Sequence, residues 1–469
     1  MGKAVMKFGG TSVGSAQAIA QAAALIQEQT RTWDTLVVVV SAMRGVTDAL
    51  IEGALTASQG DAQTYRGIVS DLRVRHTLVV AELLTDQEAR TALLKTIDAY
   101  LDEFGAFCQS VHVLGEVTPR AMDAISSLGE RINARIFAAR LNQEGVPAVA
   151  VDATEVIVTD RRFQQATPLM EATRRRIQDH LIPILQEGTV PVVTGFMGAT
   201  EDGVITTLGR GGSDYSASIL GAALNVDEVW TWTDVDGVMT ADPRIAPDAR
   251  IIPELSYSEV GELAYFGAKV LHPKTIRPVI EHDIPLWVKN TFNPSCPGTR
   301  IVSAPTTTPG TVKAVTVIKS LSMVTVEGRG MMGVPGIAAR TFGAVASQGA
   351  NVLMISQASS EQSICFVIPT RDVAGVIEAV EEEMALELSR RDIDRIWSLD
   401  DVIIVSAVGA GMRGTPGVAA RLFGALATQE INIIAIAQGS SECSISLVVS
   451  AKQAIEAVRQ IHREVINHG

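Results

Sequence analysis

The sequence is short of cysteine, of aromatic residues and of basic charge, and each shortage removes a class of protein. Four cysteines (Cys108, Cys296, Cys365, Cys443) stand far apart with no CxxC pair. That spacing suits neither a disulfide framework nor a zinc site, and reads as reduced thiols in a cytoplasmic protein. Lysine and arginine total 39 against 52 acidic residues, a formal charge of −13. No basic stripe interleaved with aromatics stands out, so nucleic acid is not an expected partner. The longest strongly apolar run, LVVVV at 36–40, falls far short of the roughly 20 residues a membrane helix needs. The opening residues MGKAVMKFGG hold no apolar targeting core, and Met6 breaks the myristoylation pattern after Gly2. No GxxxxGK[ST] or HExxH motif occurs. The glycine cluster at 209–214 ends in Asp214, which fails the dinucleotide fingerprint there.

What remains is a chain of 469 residues, 47% hydrophobic, long enough for two to four domains of about 150 residues and a sizeable core. Its organising stretch is TTLGRGGSDYSAS at 206–218. A β-prone run ends in glycine, one arginine and two further glycines follow, and a small-residue helix then runs to about Asn225. Glycines here let the backbone turn tightly and approach a ligand. Ser213 and Asp214 occupy the expected N-cap positions. The first helical turn would offer N–H groups and the positive end of the dipole to an anion, and Arg210 adds a planar fork for a carboxylate or phosphate.

Earlier in the chain the same pattern repeats. A strand at 4–8 runs into Gly9-Gly10-Thr11-Ser12 and a helix at 15–29. Lys7 therefore sits at the carboxyl end of a strand, where open α/β sheets bind ligands. The LVVVV strand ends in a polar turn containing Ser41 and Thr47, whose hydroxyls read either as helix caps or as groups facing that same sheet edge. Residues 60–115 read as helices, and Pro119 opens a long helix that Gly145 stops. Glu130 lies within it, beside Arg131, and reads equally as a solvated face. Strands are expected at 149–151, 156–158, 191–196 and 228–232, the last leading into Thr233 and Asp234, then Asp242-Pro243-Arg244. A further glycine turn carries Lys269, and His272 is expected to cap or pack. Alternating strands and helices predict a mostly parallel sheet covered on both faces.

Residues 303–311, SAPTTTPGT, have linker composition. Beyond them 321–368 and 402–449 align without a gap at an offset of 81, with 24 identities in 48 positions. Each copy reads as a βαββαβ module, and two copies suit paired regulatory modules better than a solenoid. Expected boundaries are 1–302, 312–398 and 399–469, with an early strand near 312–318 available to complete the second module.

Cations on glycine turns (Lys7, Arg210, Arg244, Lys269) beside carboxylates (Glu130, Asp214, Asp234) suggest a nucleotide polyphosphate and a small zwitterionic or anionic acceptor. KFGGTSV at 7–13, TTLGRGGSDYSA at 206–217, WTDVDGV at 232–238, TADPR at 240–244 and FGAKVLHP at 266–273 resemble the aspartate kinase family. The C-terminal copies resemble that family's tandem ACT domains. The resemblance implies an amino-acid kinase α/β/α sandwich over 1–302 and the reaction of ATP, with Mg²⁺, and L-aspartate to 4-phospho-L-aspartate. It implies that Lys7, beside Gly9 and Gly10, meets the transferring phosphate and that Arg210 clamps the α-carboxylate of aspartate. Glu130 and Asp214 would hold its ammonium group or order the site, with hydroxyl contacts from Ser41, Thr47 and Ser213. Thr233, Asp234, Arg244 and Lys269 would lie on the nucleotide side, and no side chain is identified as a metal ligand. Some family members have Tyr where this chain has Met239, so a stacking contact there is not expected. In the ACT pair, Gly333, Gly336, Asn351, Gln357, Asn432 and Gln438 are the candidate effector residues; the alternative is a duplicated dimerisation module. ISQASSE and IAQGSSE resemble the threonine-sensitive branch, which makes threonine the first expected effector and lysine the second. A homo-oligomer through the ACT modules is expected, and a dehydrogenase region after Gly469 is not. The rival readings are a sister kinase for another acceptor and a non-catalytic amino-acid sensor.

Overall fold

The computed structural model describes residues 2–266, 271–304, 312–357 and 362–467. These fall into two compact units, the first within Met1–Val238, Ile251–Tyr257 and Val270–Pro305, the second within Met239–Arg250, Ser258–Lys269 and Thr306–Gly469.

The first unit contains strands β1 (Lys3–Phe8), β2 (Thr35–Val40), β3 (Ala148–Val151), β4 (Val190–Thr194), β5 (Met197–Ala199), β6 (Ile205–Thr207), β7 (Glu228–Thr233), β8 (Glu254–Ser256), β9 (Leu286–Asn290) and β10 (Thr299–Val302). Eight form one sheet in the order β3-β4-β2-β1-β7-β9-β10-β8, parallel except where β10 runs against β9. The β5–β6 pair is a separate hairpin. Continuous Val and Ile runs in the central strands fit burial on both faces. Met6, Phe8, Val38 and Val40 pack with Ile19, Ile132 and Phe137 in one core, while alternate residues Val5, Val37 and Val39 are just as buried. The α/β/α sandwich follows from that pattern.

Two local expectations change. The long helix after Pro119 is two helices, Pro119–Ser126 and Leu128–Gln143, joined at Ser127. Residues 156–158 form no strand. A short 3₁₀ turn, Ala153–Glu155, precedes them, and only Val158 bridges to Ala199.

The second unit is built on one six-stranded antiparallel sheet of β11 (Ala314–Glu327), β12 (Met354–Gln357), β13 (Ser363–Pro369), β14 (Arg395–Val408), β15 (Ala435–Gln438) and β16 (Ser444–Ser450), ordered β12-β13-β11-β14-β16-β15. The two long strands break register at equivalent positions of the repeat, Ser320 (φ 60°) and Asp401 (φ 54°). Residues 321–327 pair with β13, and 402–408 pair with β16. The remaining halves cross over, 314–318 pairing with 404–408 and 395–399 with 323–327. Each copy thus supplies the other's closing half-strand.

The second unit does not begin at the linker. Ala241, Ile245 and Ala246 share a core with Val315, Leu422 and Ile461, and Val315 N–H donates to Thr240 O at 2.8 Å. Burial of that apolar stretch makes 239–250 part of the second unit. Among the described residues no helix is long and apolar enough to cross a membrane.

Candidate active site

β1 lies between β2 and β7, with Lys7 opposite Val39 and Thr231. The chain leaves β1 toward one side of the sheet and later returns on the other, so a crevice opens beyond the carboxyl end of β1. Backbone bonds draw three strand ends together there. Gly9 N–H donates to Trp232 O at 3.1 Å, Ser41 N–H to Phe8 O at 3.1 Å, and Arg44 N–H to Gly10 O at 3.1 Å.

Lys7 is buried, and its Nζ lies 2.6 Å from Asp214 Oδ1. Asp214 and the buried Ser213 stand in the first turn of the helix Gly212–Leu224. Neither is the cap, as the sequence suggested. Gly211, in the left-handed region at φ 71°, begins the helix, because only a residue without a side chain turns so sharply there. The helix start therefore lies two residues earlier, and Asp214 is directed to Lys7 instead of to its own backbone.

Glu130 stands in the first turn of Leu128–Gln143 and is 3% exposed. Its carboxylate accepts from the Ala42 N–H, yet Oε2 has no hydrogen-bond partner. Burial pushes the carboxyl up to about 8, against the smaller opposing effect of the backbone N–H groups. A buried acid of this kind lacks only a cation to ionise it. Ser41 is half-buried in the turn that Glu130 touches, its carbonyl accepting from Asn133 Nδ2 at 2.6 Å, while Thr47, also half-buried, lies past that turn in the first turn of the helix Val46–Ser58.

Arg210 is exposed between Gly209 and Gly211. At the end of β7 the Thr233 carbonyl accepts from Thr291 N–H at 2.9 Å, and Asp234 is exposed beside it. The first unit thus gathers Lys7, Gly9, Gly10, Ser41, Thr47, Glu130, Arg210, Ser213, Asp214, Thr233 and Asp234 on strand ends and helix starts. Arg244 belongs to the second unit, where its side chain is 88% exposed and its guanidinium pairs with Asp242 at 2.7 Å. Lys269 lies outside the described residues.

Chain-wide comparison decides the family. The model of the amino acid kinase family matches residues 2–290, and an ACT domain model matches 324–384 and again 405–465. Aspartokinase 1, chloroplastic, of Arabidopsis thaliana is 34% identical over 99% of this chain and 80% of its own length. The chain belongs to the aspartokinase family.

Other aspartokinases are longer. The bifunctional aspartokinase/homoserine dehydrogenase 1 of Arabidopsis thaliana is 38% identical over 98% of this chain but only 50% of that protein. The chain spans about half the length of such bifunctional relatives. Among solved structures, E. coli aspartokinase III in complex with aspartate and ADP (R-state) is 28% identical, with a TM-score of 0.79 over 98% of this chain and 99% of that one. The same enzyme in complex with lysine and aspartate (T-state) gives 0.80 over 99% of each.

The aspartokinase ACT loops carry the remaining candidates. Gly333, Gly336, Gly414 and Gly417 all have positive φ, and Gly336 and Gly417 start the helices Ile337–Ser347 and Val418–Ala427. Asn351, Gln357, Asn432 and Gln438 are exposed. In the second module a cavity of about 310 Å³ is lined by Gly414, Pro416, Gly417, Gln438 and Glu442 among others, and Glu442 accepts from Gly414 N–H at 2.7 Å. Asn432 is not among its lining residues. GRGMMG at 328–333 and GAGMRG at 409–414 carry the G-x-G-x-x-G spacing. They follow antiparallel strands rather than opening a βαβ unit, so the dinucleotide reading fails on context.

Sequence reasoning passed over two residues here. Asn133 is fully buried one helical turn beyond Glu130 and holds the Ser41 turn. Asp123 is fully buried in the preceding helix. The available signal was a lone acid between Met122 and Ala124 in an apolar stretch, which strand-end motifs do not reveal.

Proposed function

We propose that this chain transfers the γ-phosphoryl group of ATP to the β-carboxylate of L-aspartate, giving ADP and 4-phospho-L-aspartate. The observation that carries the reading is the pairing of opposite requirements in one crevice: a buried Lys7 ion-paired to the half-buried Asp214 and a buried Glu130 with one oxygen unpartnered. The E. coli relative solved with aspartate and ADP supports it.

A β-carboxylate has an unperturbed pKa of about 4 and is ionised at neutral pH. One of its oxygens attacks the γ-phosphorus, the bond to the β–γ bridging oxygen breaks, and ADP leaves with that electron pair. No proton moves, so no general base is needed. What the protein must supply is approach between two anions, by positioning and electrostatic stabilisation. Lys7 meets the transferring group, Arg210 takes the α-carboxylate in a bidentate fork, and Glu130 takes the ammonium. Among the described residues no three His, Cys, Asp or Glu side chains gather as a metal centre. Mg²⁺ would be held mainly by phosphate oxygens and water, with Asp234 an exposed carboxylate available to it. When bound, the ion neutralises phosphate charge.

The ACT pair makes feedback control by an end-product amino acid part of this reading, threonine first and lysine second, with interleaved modules that also join a homo-oligomer. Binding to the folded state must raise its melting temperature by mass action. No change in melting or activity with either amino acid at roughly 10 mM, a generous excess, removes the effector assignment. The catalytic reading is tested by ADP release over a panel of acceptors. Aspartate should far exceed acetylglutamate, carbamate and UMP, and turnover of any of these in preference to aspartate overturns it.

A further inference from the structure

Asp123 is a fully buried carboxylate on the helix Pro119–Ser126, between core residues Met122 and Ile125. No cation pairs with it among the described residues. Instead it accepts from three donors: Gln164 N–H, at 3.1 and 2.9 Å to its two oxygens, Thr207 N–H at 3.0 Å, and Thr207 Oγ1–H at 2.7 Å. Thr207 is the last residue of β6, three before Arg210. Gln164 belongs to a separate loop and is itself left-handed at φ 66°.

These two tethered segments are the bed of the arginine loop. Ala166 N–H donates to Thr207 O at 2.9 Å, and Leu208 N–H to Phe196 O at 2.8 Å. A side chain on Gly209 (φ 80°) would put its Cβ 2.8 Å from the Gln164 carbonyl, closer than such atoms approach. The loop therefore has no slack on that side. Seven residues after Asp123, across the Ser127 break, the next helix presents Glu130 to the same site.

We infer that Asp123 is a positioning residue: it fixes the Arg210 loop relative to Glu130, so that the helix pair sets the spacing at which the two ends of an α-amino acid are read. This rests on the roles proposed above for Arg210 and Glu130. A buried carboxylate receiving several N–H and O–H donors resists displacement, because any shift leaves a polar group unsatisfied in the core. Asparagine cannot replace it, since it offers one oxygen and turns an NH₂ toward N–H donors.

The test compares KM for aspartate with KM for ATP in Asp123→Asn, Thr207→Val and Arg210→Ala, and in Asp123→Asn combined with Arg210→Ala. Thr207→Val keeps the shape and removes only the hydroxyl donor, so it carries the test if Asp123→Asn fails to fold. We expect Asp123→Asn to raise KM for aspartate roughly tenfold or more, the scale of a lost hydrogen bond to a charged group. Thr207→Val should raise it severalfold, with KM for ATP in both within about twofold of the parent. The double variant should be no worse than Arg210→Ala alone, as for residues acting through one another. Equal rises in both KM values, or additive losses in the double variant, overturn the inference. A normal KM for aspartate in Asp123→Asn and Thr207→Val beside an impaired Arg210→Ala overturns it alone. A normal KM in Arg210→Ala overturns the clamp role, and this inference with it.

Discussion

The two units reach a binding site by different physical routes. In the sheet unit, side chains up to about two hundred positions apart converge because parallel strands all end at one edge, and the site stores charge in the interior. Lys7 is paired to Asp214 at 2.6 Å, and Glu130 is buried without a cation. In the ACT unit, the candidate site is a glycine loop made twice by duplication, and its polar groups Asn351, Gln357, Asn432 and Gln438 are exposed. Charge beside the helices those loops open lies at the surface, as in the Arg340 bridges to Glu383 and Glu387, and the unit's buried pair, Lys313–Glu259 at 3.0 Å, includes none of these candidate residues. The first arrangement is costly to disturb because a buried charge left alone is expensive. The second is easily disturbed because what it conserves is backbone conformation.

The comparison breaks first if the cations at the sheet edge, buried Lys7 and exposed Arg210, do not dominate catalysis. Lys7→Ala or Arg210→Ala should lose at least ~3 kcal/mol of transition-state stabilisation, the scale of one preorganised electrostatic contact. ADP release measures it, and near-normal turnover in either variant refutes the assigned role. Effector-induced stabilisation of the ACT unit should survive both changes.

Glu130 gives the next largest effect, and its sign is determined. Its folded carboxyl is raised to about 8 from an ordinary 4.5. Its contribution to stability is therefore fully present below about 4.5 and is lost as pH rises through about 8. Glu130→Gln should accordingly gain stability relative to the parent as pH approaches 8, and the gain should vanish near pH 4, read by thermal melts. Binding an ammonium favours the ionised acid. KM for aspartate should thus fall as pH rises toward about 8 and then level off. In Glu130→Gln that slope should disappear, with KM for aspartate raised more than KM for ATP. A larger rise for ATP would move Glu130 to the nucleotide side.

Much of this was legible in the residues. Apolar strands ending in glycine turns announced the parallel sheet, and the 81-residue repeat announced the module pair. Lys7 lies at the strand end where sequence reasoning put it, whereas Asp214 stands inside the first helical turn instead of at the cap, and Glu130 is buried at a helix start the sequence did not announce. Other features depend on partners far along the chain. The Ser127 break separates two helices whose composition is continuous. Residues 239–250 join the second unit because Ala241 and Ile245 find their core against residues more than sixty positions later. The exchange of half-strands between 314–318 and 395–399 depends on register, which local pattern does not report. Asp123 is invisible for the same reason: its partners lie 41 and 84 residues away.

The smallest effect separates the two ACT copies. Gly336 (φ 94°) and Gly417 (φ 86°) each start a helix from the left-handed region, and a Cβ would meet no atom within 4 Å at either. Alanine is therefore strained by backbone conformation alone, by roughly 1–2 kcal/mol, and the loop relaxes away from it. Gly336→Ala and Gly417→Ala should leave turnover without effector unchanged, since both belong to the second unit, while weakening the effector-induced rise in melting temperature. The copies should differ in degree. The Gly414 N–H already bonds Glu442, so an effector carboxylate entering that loop must displace a resident one. If Gly417→Ala removes the whole response and Gly336→Ala none, the second copy is the receptor despite that competition; the reverse places the receptor in the first. Equal loss would mean that the duplicated loops act as one site.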